Sequence, residues 1–214
     1  MTHNEILADL LARHPALSCI KEDILAAFEM LAACFRGGNK LLVGGNGGSA
    51  ADAEHIAGEL MKCFEKKRPL SHDEKAALTN ADALYGARLA DMLVGTLPVI
   101  SLTGHAALST ATMNDCDAVA IFAQQVWGYG KEGDVLLAIS TSGNAESLLL
   151  AATAARARGM KIILLTGKDG GKLKALADLS ICVPADKTYL VQELHLPVYH
   201  ALCMMLEDSF FPYE

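Results

Sequence analysis

Three short apolar runs, DVLLAI (134–139), KIILL (161–165) and LSICV (179–183), follow one another with helix-type segments between them. An apolar burst bounded by turn residues suits a strand buried on both faces, and strands alternating with helices at this spacing pair in parallel. KLLV (40–43) and TLPVISL (96–102) extend the pattern upstream. The expected fold is α/β, a three-layer sandwich with a five-stranded parallel sheet. Helices are expected over 4–36, divided at Pro15, and over 50–64, 109–127, 145–158 and 189–206, with a short one near 173–177. Asn114 and Asp115 interrupt the third of these. Between them, EKKRPLSHDEKAAL is read as a polar loop and DALYGARLADML as an amphipathic turn or two.

The 214 residues make one sizeable core, so a single domain is expected over 1–214, with 1–36 as a helical extension. Hydrophobic residues reach 52% and mean hydropathy is +0.27, a surplus that points to buried subunit interfaces. A membrane span is not expected, since no window of about eighteen residues escapes charge or strong turn formers. The start lacks a basic segment followed by an apolar one, so a cytoplasmic location is expected. Lys+Arg 18 against Asp+Glu 25 gives 18 − 25 = −7, and EKKR (65–68) is the largest basic cluster, which disfavours nucleic acid as a partner. The six cysteines stand singly with no C-x-x-C pair, as free thiols would.

Two segments have the same layout. KLLVGGNGGSAADAE and DVLLAISTSGNAESL each run from strand through a small polar turn into a helix. A helix start carries unpaired N–H groups and a positive dipole end, and glycine, serine and threonine let an anion approach it. Ser140, Thr141 and Ser142 offer hydroxyls at one start, and Asn46, Gly47 and Ser49 line the other. Each loop also has a plain structural explanation, since Ser49 and Asp52 match a capping box and hydroxyl residues are ordinary in turns. Two such loops at one sheet edge favour an anion site over turns alone. Neither is a nucleotide fingerprint.

His55 and Glu59, four residues apart, share a helix face and could hold a proton, a metal or a substrate; a histidine satisfied by its helix neighbour is the plain alternative. In VQELHLPVYHALCMMLEDSFF, Gln192 and His200 lie about 80° apart around the helix, whereas His195 faces elsewhere. Pro197 is expected to bend this helix. A carboxylate and an imidazole suit a sugar phosphate changing between ketose and aldose: one moves the carbon-bound proton, the other relays protons among oxygens.

GNGGSAADAEHIAGEL from Gly45, GDVLLAISTSGNAESLLLAATAARARGMKIILLTGKDGG from Gly133 and VQELHLPVYH from Val191 together resemble the sugar isomerase (SIS) domain family, and within it the bacterial phosphoheptose isomerases. The resemblance implies a flavodoxin-like fold and interconversion of D-sedoheptulose 7-phosphate and D-glycero-D-manno-heptose 7-phosphate. It implies a homotetramer, its N-terminal helices packing between subunits and its active sites completed by neighbours. Glu59 falls on the family's base and His200 on its acid. His55, Glu59, Gln192 and His200 fall where some members bind zinc. The phosphorylated sugar would meet Asn46, Gly47, Ser49, Asp115, Ser140, Thr141, Ser142, Thr188 and Gln192.

There are departures. Ala145 replaces a phosphate-contacting serine, Tyr189 an aspartate, and Cys63 an arginine for which Lys62 or Arg68 would compensate. The stretch before TLPVISL is longer than usual. A different ketose phosphate would fit these departures. A non-catalytic SIS protein, binding a sugar phosphate or a replication-initiation partner, is the remaining alternative.

Overall fold

A computed structural model describes residues 2–211. Five strands, β1 (Leu41–Gly45), β2 (Val99–Ser101), β3 (Val135–Ser140), β4 (Lys161–Gly167) and β5 (Leu179–Val183), form one parallel sheet in the order β2-β1-β3-β4-β5. Side chains alternate across it. Leu41, Val43, Leu137, Ile139, Ile163 and Leu165 face one core, while Leu42, Leu136, Ala138, Ile162 and Leu164 face another. Burial on both faces explains why these strands read as unbroken apolar runs.

The first core is covered by α1 (His3–Arg13), a 3-10 segment (Pro15–Ile20), α2 (Lys21–Arg36), α3 (Gly48–Met61) and α9 (Thr188–Phe210). Residues 1–36 were expected as an extension; within them, Leu10, Leu17, Ile24 and Phe28 are buried in this same core. The second core is covered by α7 (Ile121–Tyr129) and α8 (Glu146–Ala157). The expected helix over 109–127 is two, α6 (Ala106–Asp115) and α7, with the chain breaking after Asp115. Near 173–177 there is only a 3-10 turn, Lys172–Ala175. Helix α9 runs through Pro197 without a break. No helix among the described residues is long and apolar enough to cross a membrane.

The polar loop expected after α3 is a correction. It contains α4 (His72–Ala81), followed by α5 (Tyr85–Met92). Ser71 accepts from the Glu74 N–H and the Glu74 carboxylate accepts from the Ser71 N–H, a capping box that stabilises a helix start irrespective of burial. Polar composition concealed this helix: none of its residues is buried.

His195 is fully buried on α9, and burial pushes its imidazole down to about 4, opposed by the Thr166 backbone. The unfolded chain, titrating near 6.5, takes up protons first as pH falls. Stability is thus complete above that value and lost towards pH 4, by on the order of 3 kcal/mol. Urea unfolding at neutral pH and at about pH 5 is expected to show the loss, and His195→Leu to flatten it. An unchanged pH slope in the variant would assign the loss to other groups.

Candidate functional site

With β1 and β3 adjacent and in register at Gly45 and Ile139, the loops that follow them emerge side by side. Strand order reverses at this pair, and such a switch point leaves a crevice at the carboxyl edge. Asn46 Nδ2 donates across it to Ser147 Oγ at 3.1 Å, tying the first loop to the opening turn of α8. Ser147 was missed in the sequence, although ESL places a hydroxyl two residues beyond Ala145.

The second loop is tightly folded. Ser140, nearly buried, accepts from the Gly143 N–H at 3.2 Å, and Ser142 Oγ accepts from the Asn144 N–H at 3.3 Å. Gly143 has φ +65°, and a Cβ there would sit 1.8 Å from the Gly170 carbonyl oxygen, so only glycine lets these turns touch. The capping box that Ser49 and Asp52 offered as the plain alternative does not form: the N-cap of α3 is Gly47, with no side-chain cap, and Ser49 is buried inside the first turn. Asp52 instead accepts from Tyr199 OH at 3.3 Å.

Helices α3 and α9 pack in parallel, and this joins their polar residues. Gln192 lies against Gly48, where a Cβ would come within 2.5 Å of its Nε2. Further along, the His55 and His200 rings meet edge to face with centroids 4.9 Å apart. His55 Nε2 is 3.1 Å from Glu59 Oε1, and its Nδ1 is 3.0 Å from Tyr199 OH. The run Asp52–Tyr199–His55–Glu59 contains three hydrogen bonds. Burial raises the Asp52 carboxyl at the far end of this run.

Burial pushes Glu59 up, but Lys62, whose Nζ is 2.7 Å from Oε2, and then His55 outweigh it, and the net shift is downward. His200 is lowered by burial and by the charge of His55, while Glu59 pulls it back up. Its Nε2 is buried with no partner among the described residues. Glu59 is therefore ionised and His200 mostly neutral near pH 7. Lys62 stands three residues after Glu59, just past the end of α3, a spacing that could have identified the pair from the sequence.

Other expected residues lie elsewhere. Asp115 ends α6, exposed, and accepts from Asn114 at 2.7 Å. Thr188 opens α9, also exposed. Arg68 does not take the role of an anion-binding arginine: its side chain is fully buried, 2.7 Å from Glu207.

Distance along α3 matters for the chemistry. Glu59 follows Gly48 by 59 − 48 = 11 residues, or about 16 Å at 1.5 Å per residue. That is longer than an extended seven-carbon chain, so a phosphate at the Gly48 end of α3 lies far from Glu59 of the same chain.

The SIS domain family matches residues 11–93 and again residues 116–206. Phosphoheptose isomerase from Shewanella baltica (strain OS155 / ATCC BAA-1091) is 39% identical over 202 residues, 93% of this chain and 89% of that protein. The Coxiella burnetii (strain Dugway 5J108-111) phosphoheptose isomerase is 37% identical over 200 residues, 92% of this chain and 87% of its own. Among solved structures, phosphoheptose isomerase GmhA from Neisseria gonorrhoeae aligns with a TM-score of 0.73 at 33% identity, covering 94% of each chain. A phosphoheptose isomerase from Francisella tularensis gives 0.76 at 32%, over 94% of this chain and 93% of that one. The chain belongs to the SIS domain family. Within it, the chain is an aldose–ketose isomerase of the phosphoheptose isomerase type.

The zinc set implied by resemblance can be compared with this geometry. Two imidazoles, a carboxylate and an amide oxygen are donor types that zinc accepts. Their arrangement does not fit an ion. Among the described residues no group of three or more His, Cys, Asp or Glu side chains is placed to hold a metal. Lys62 occupies Glu59 Oε2, Tyr199 occupies His55 Nδ1, and Gln192 lies at Gly48, about 10 Å along the axis from His55.

Proposed function

We propose that this chain interconverts D-sedoheptulose 7-phosphate and D-glycero-D-manno-heptose 7-phosphate through an enediolate. The observation that carries the reading is that Glu59 and His200 interact electrostatically where α3 packs on α9, with His200 Nε2 buried and without a hydrogen-bond partner among the described residues. Glu59, ionised, takes the proton from the carbon next to the carbonyl and returns it to the neighbouring carbon. His200 supplies a proton to the carbonyl oxygen as charge develops there and recovers one from the adjacent hydroxyl. Tyr199, itself bonded to Asp52, fixes the His55 ring, and His55 in turn orients Glu59. Lys62 holds the carboxylate from the other side.

The phosphate is assigned to the hydroxyls of Ser140, Thr141 and Ser142 with Asn46, Gly47, Ser49 and Ser147, on support from the crevice geometry and the Asn46–Ser147 bond. Gln192, Asp115 and Thr188 are assigned to the sugar hydroxyls. Since one chain's loops stand about 16 Å from its own Glu59, the active site is proposed to form between subunits of a cytoplasmic homotetramer, with the N-terminal helices at the contacts. Exposed Leu84, Tyr85, Met92 and Trp127 supply apolar surface for such contacts. Sedimentation equilibrium tests the assembly; a monomer at assay concentration would contradict it.

Zinc at His55, Glu59, Gln192 and His200 is a separate proposal resting on donor chemistry; the set does not close within one chain, so it requires Lys62 to leave Glu59 and the amide of Gln192 to reach the ion from a neighbouring subunit. Elemental analysis of protein purified without added metal, expected to find one zinc per chain, tests it.

The reaction is tested with a panel of five-, six- and seven-carbon ketose phosphates assayed for aldose formation. The seven-carbon ketose is expected to turn over fastest; no turnover of any would contradict the reading. Replacing both Ser140 and Ser142 by alanine is expected to raise KM about 10- to 100-fold with kcat nearly kept, since each lost hydrogen bond to a charged group is worth about 1.5–3 kcal/mol less the help of remaining donors. An unchanged KM would remove the phosphate from this loop.

A further inference from the structure

Beyond the residues that face the crevice, an ion pair behind it ties the two halves of the proposed couple together. Arg68 Nε donates to Glu207 Oε1 at 2.7 Å, with side-chain exposures of 0% and 1%. The same guanidinium donates from Nη2 to the Glu59 carbonyl and from Nη1 to the Leu60 carbonyl, each at 2.9 Å. It therefore caps the last turn of α3, whose carbonyls have no partner within the helix. Glu207 lies two turns beyond His200 on α9 and also accepts from the N–H groups of Phe64 and Glu65 at 2.9 Å and of Lys66 at 3.1 Å. One carboxylate thus gathers the chain leaving α3, and one guanidinium returns that chain to the backbone of Glu59.

We propose that Arg68 and Glu207 are positioning residues for the isomerisation: their clasp fixes the backbone of Glu59 on α3 against His200 on α9. The proposal rests on the reading of Glu59 and His200 given above. A buried ion pair adds little net stability over apolar residues of the same size, because desolvation offsets the attraction. What this one supplies is geometry. Five donors in a planar fork span a carboxylate and two carbonyls at once, which an ammonium cannot do. Proton abstraction is sensitive to such placement, and a shift of about 1 Å can cost up to 100-fold in rate.

Two variants test the clasp in the full-length enzyme. Arg68→Lys keeps the charge and loses the fork. The double variant Arg68→Met with Glu207→Gln removes both charges, so no unpaired ion is buried, while the amide oxygen still accepts from the backbone. Both are expected to fold, by circular dichroism and thermal melting, with kcat for sedoheptulose 7-phosphate reduced at least about tenfold and KM within about twofold. Either folded variant with kcat within about twofold of wild type would overturn the proposal. So would a failure of both to fold, because the pair would then hold the fold rather than the site. Wild-type protein that turns over no ketose phosphate would instead overturn the function and this inference together.

Discussion

Glu59→Gln is expected to abolish measurable isomerisation while leaving the fold intact. Glutamine is nearly isosteric, and its amide oxygen can still accept from Lys62 or from His55. It cannot accept the carbon-bound proton, and general-base catalysis of this kind contributes about 10²–10⁴-fold. The effect on stability is small, since the Lys62 side chain is 60% exposed and such pairs contribute at most about 1 kcal/mol. Circular dichroism and thermal melting should therefore overlay those of wild type. Exchange of the C–H proton with solvent deuterium adds a direct readout: the wild type should wash label into the sugar and the variant should not. Retained exchange at the wild-type rate would remove Glu59 from its role.

His200→Asn follows in size, with a loss in kcat of about 10²–10³-fold and little change in KM. The pH dependence carries the mechanism. Burial and His55 hold the His200 imidazolium below its usual range, so the ring is neutral through the working range and donates as an imidazole. Glu59, lowered chiefly by Lys62 against the effect of burial, stays ionised over the same range. The wild-type rate should accordingly stay level as pH falls from about 8 through the ordinary histidine range and turn down only below it. If imidazolium were the acid, the rate would climb as pH drops through the histidine range. His200→Asn should keep the Glu59 limb at a much lower plateau; a plateau within about threefold of wild type would remove His200 from the oxygen-to-oxygen relay.

Local pattern carried a large share of this architecture. Apolar bursts bounded by turn residues located every strand, because a strand covered on both faces has no polar side to interrupt it. The repeated strand–turn–helix unit placed two loops at one edge, and β1 lies beside β3 as that required. The capping box at Ser71 and Glu74 was equally local but was hidden by the polar residues around it, so α4 was read as loop. Ser49 failed in the opposite sense. Its spacing to Asp52 suits a cap, but the backbone enters α3 through Gly47 at φ +58°, two residues earlier than a serine cap requires.

Long-range contacts produced the remaining differences. EKKR reads as a solvated charge run, and Lys66 and Arg68 in it are buried, because Glu207 and Asp208 wait about 140 residues along the chain. Tyr199 looks like one more core aromatic until α9 brings its hydroxyl to Asp52 and His55.

Sequence by itself determined the parallel sheet, the two loops at its carboxyl edge and the candidacy of His55, Glu59, Gln192 and His200, since each depends on periodicity or spacing within a few turns of chain. Tertiary structure alone decided that α3 lies parallel to α9, which joins His55 and Glu59 to His200, leaves Gln192 at Gly48 and sets the loops about 16 Å from Glu59. Helix packing places residues far apart in the chain on one surface, and no local period encodes which surfaces will meet.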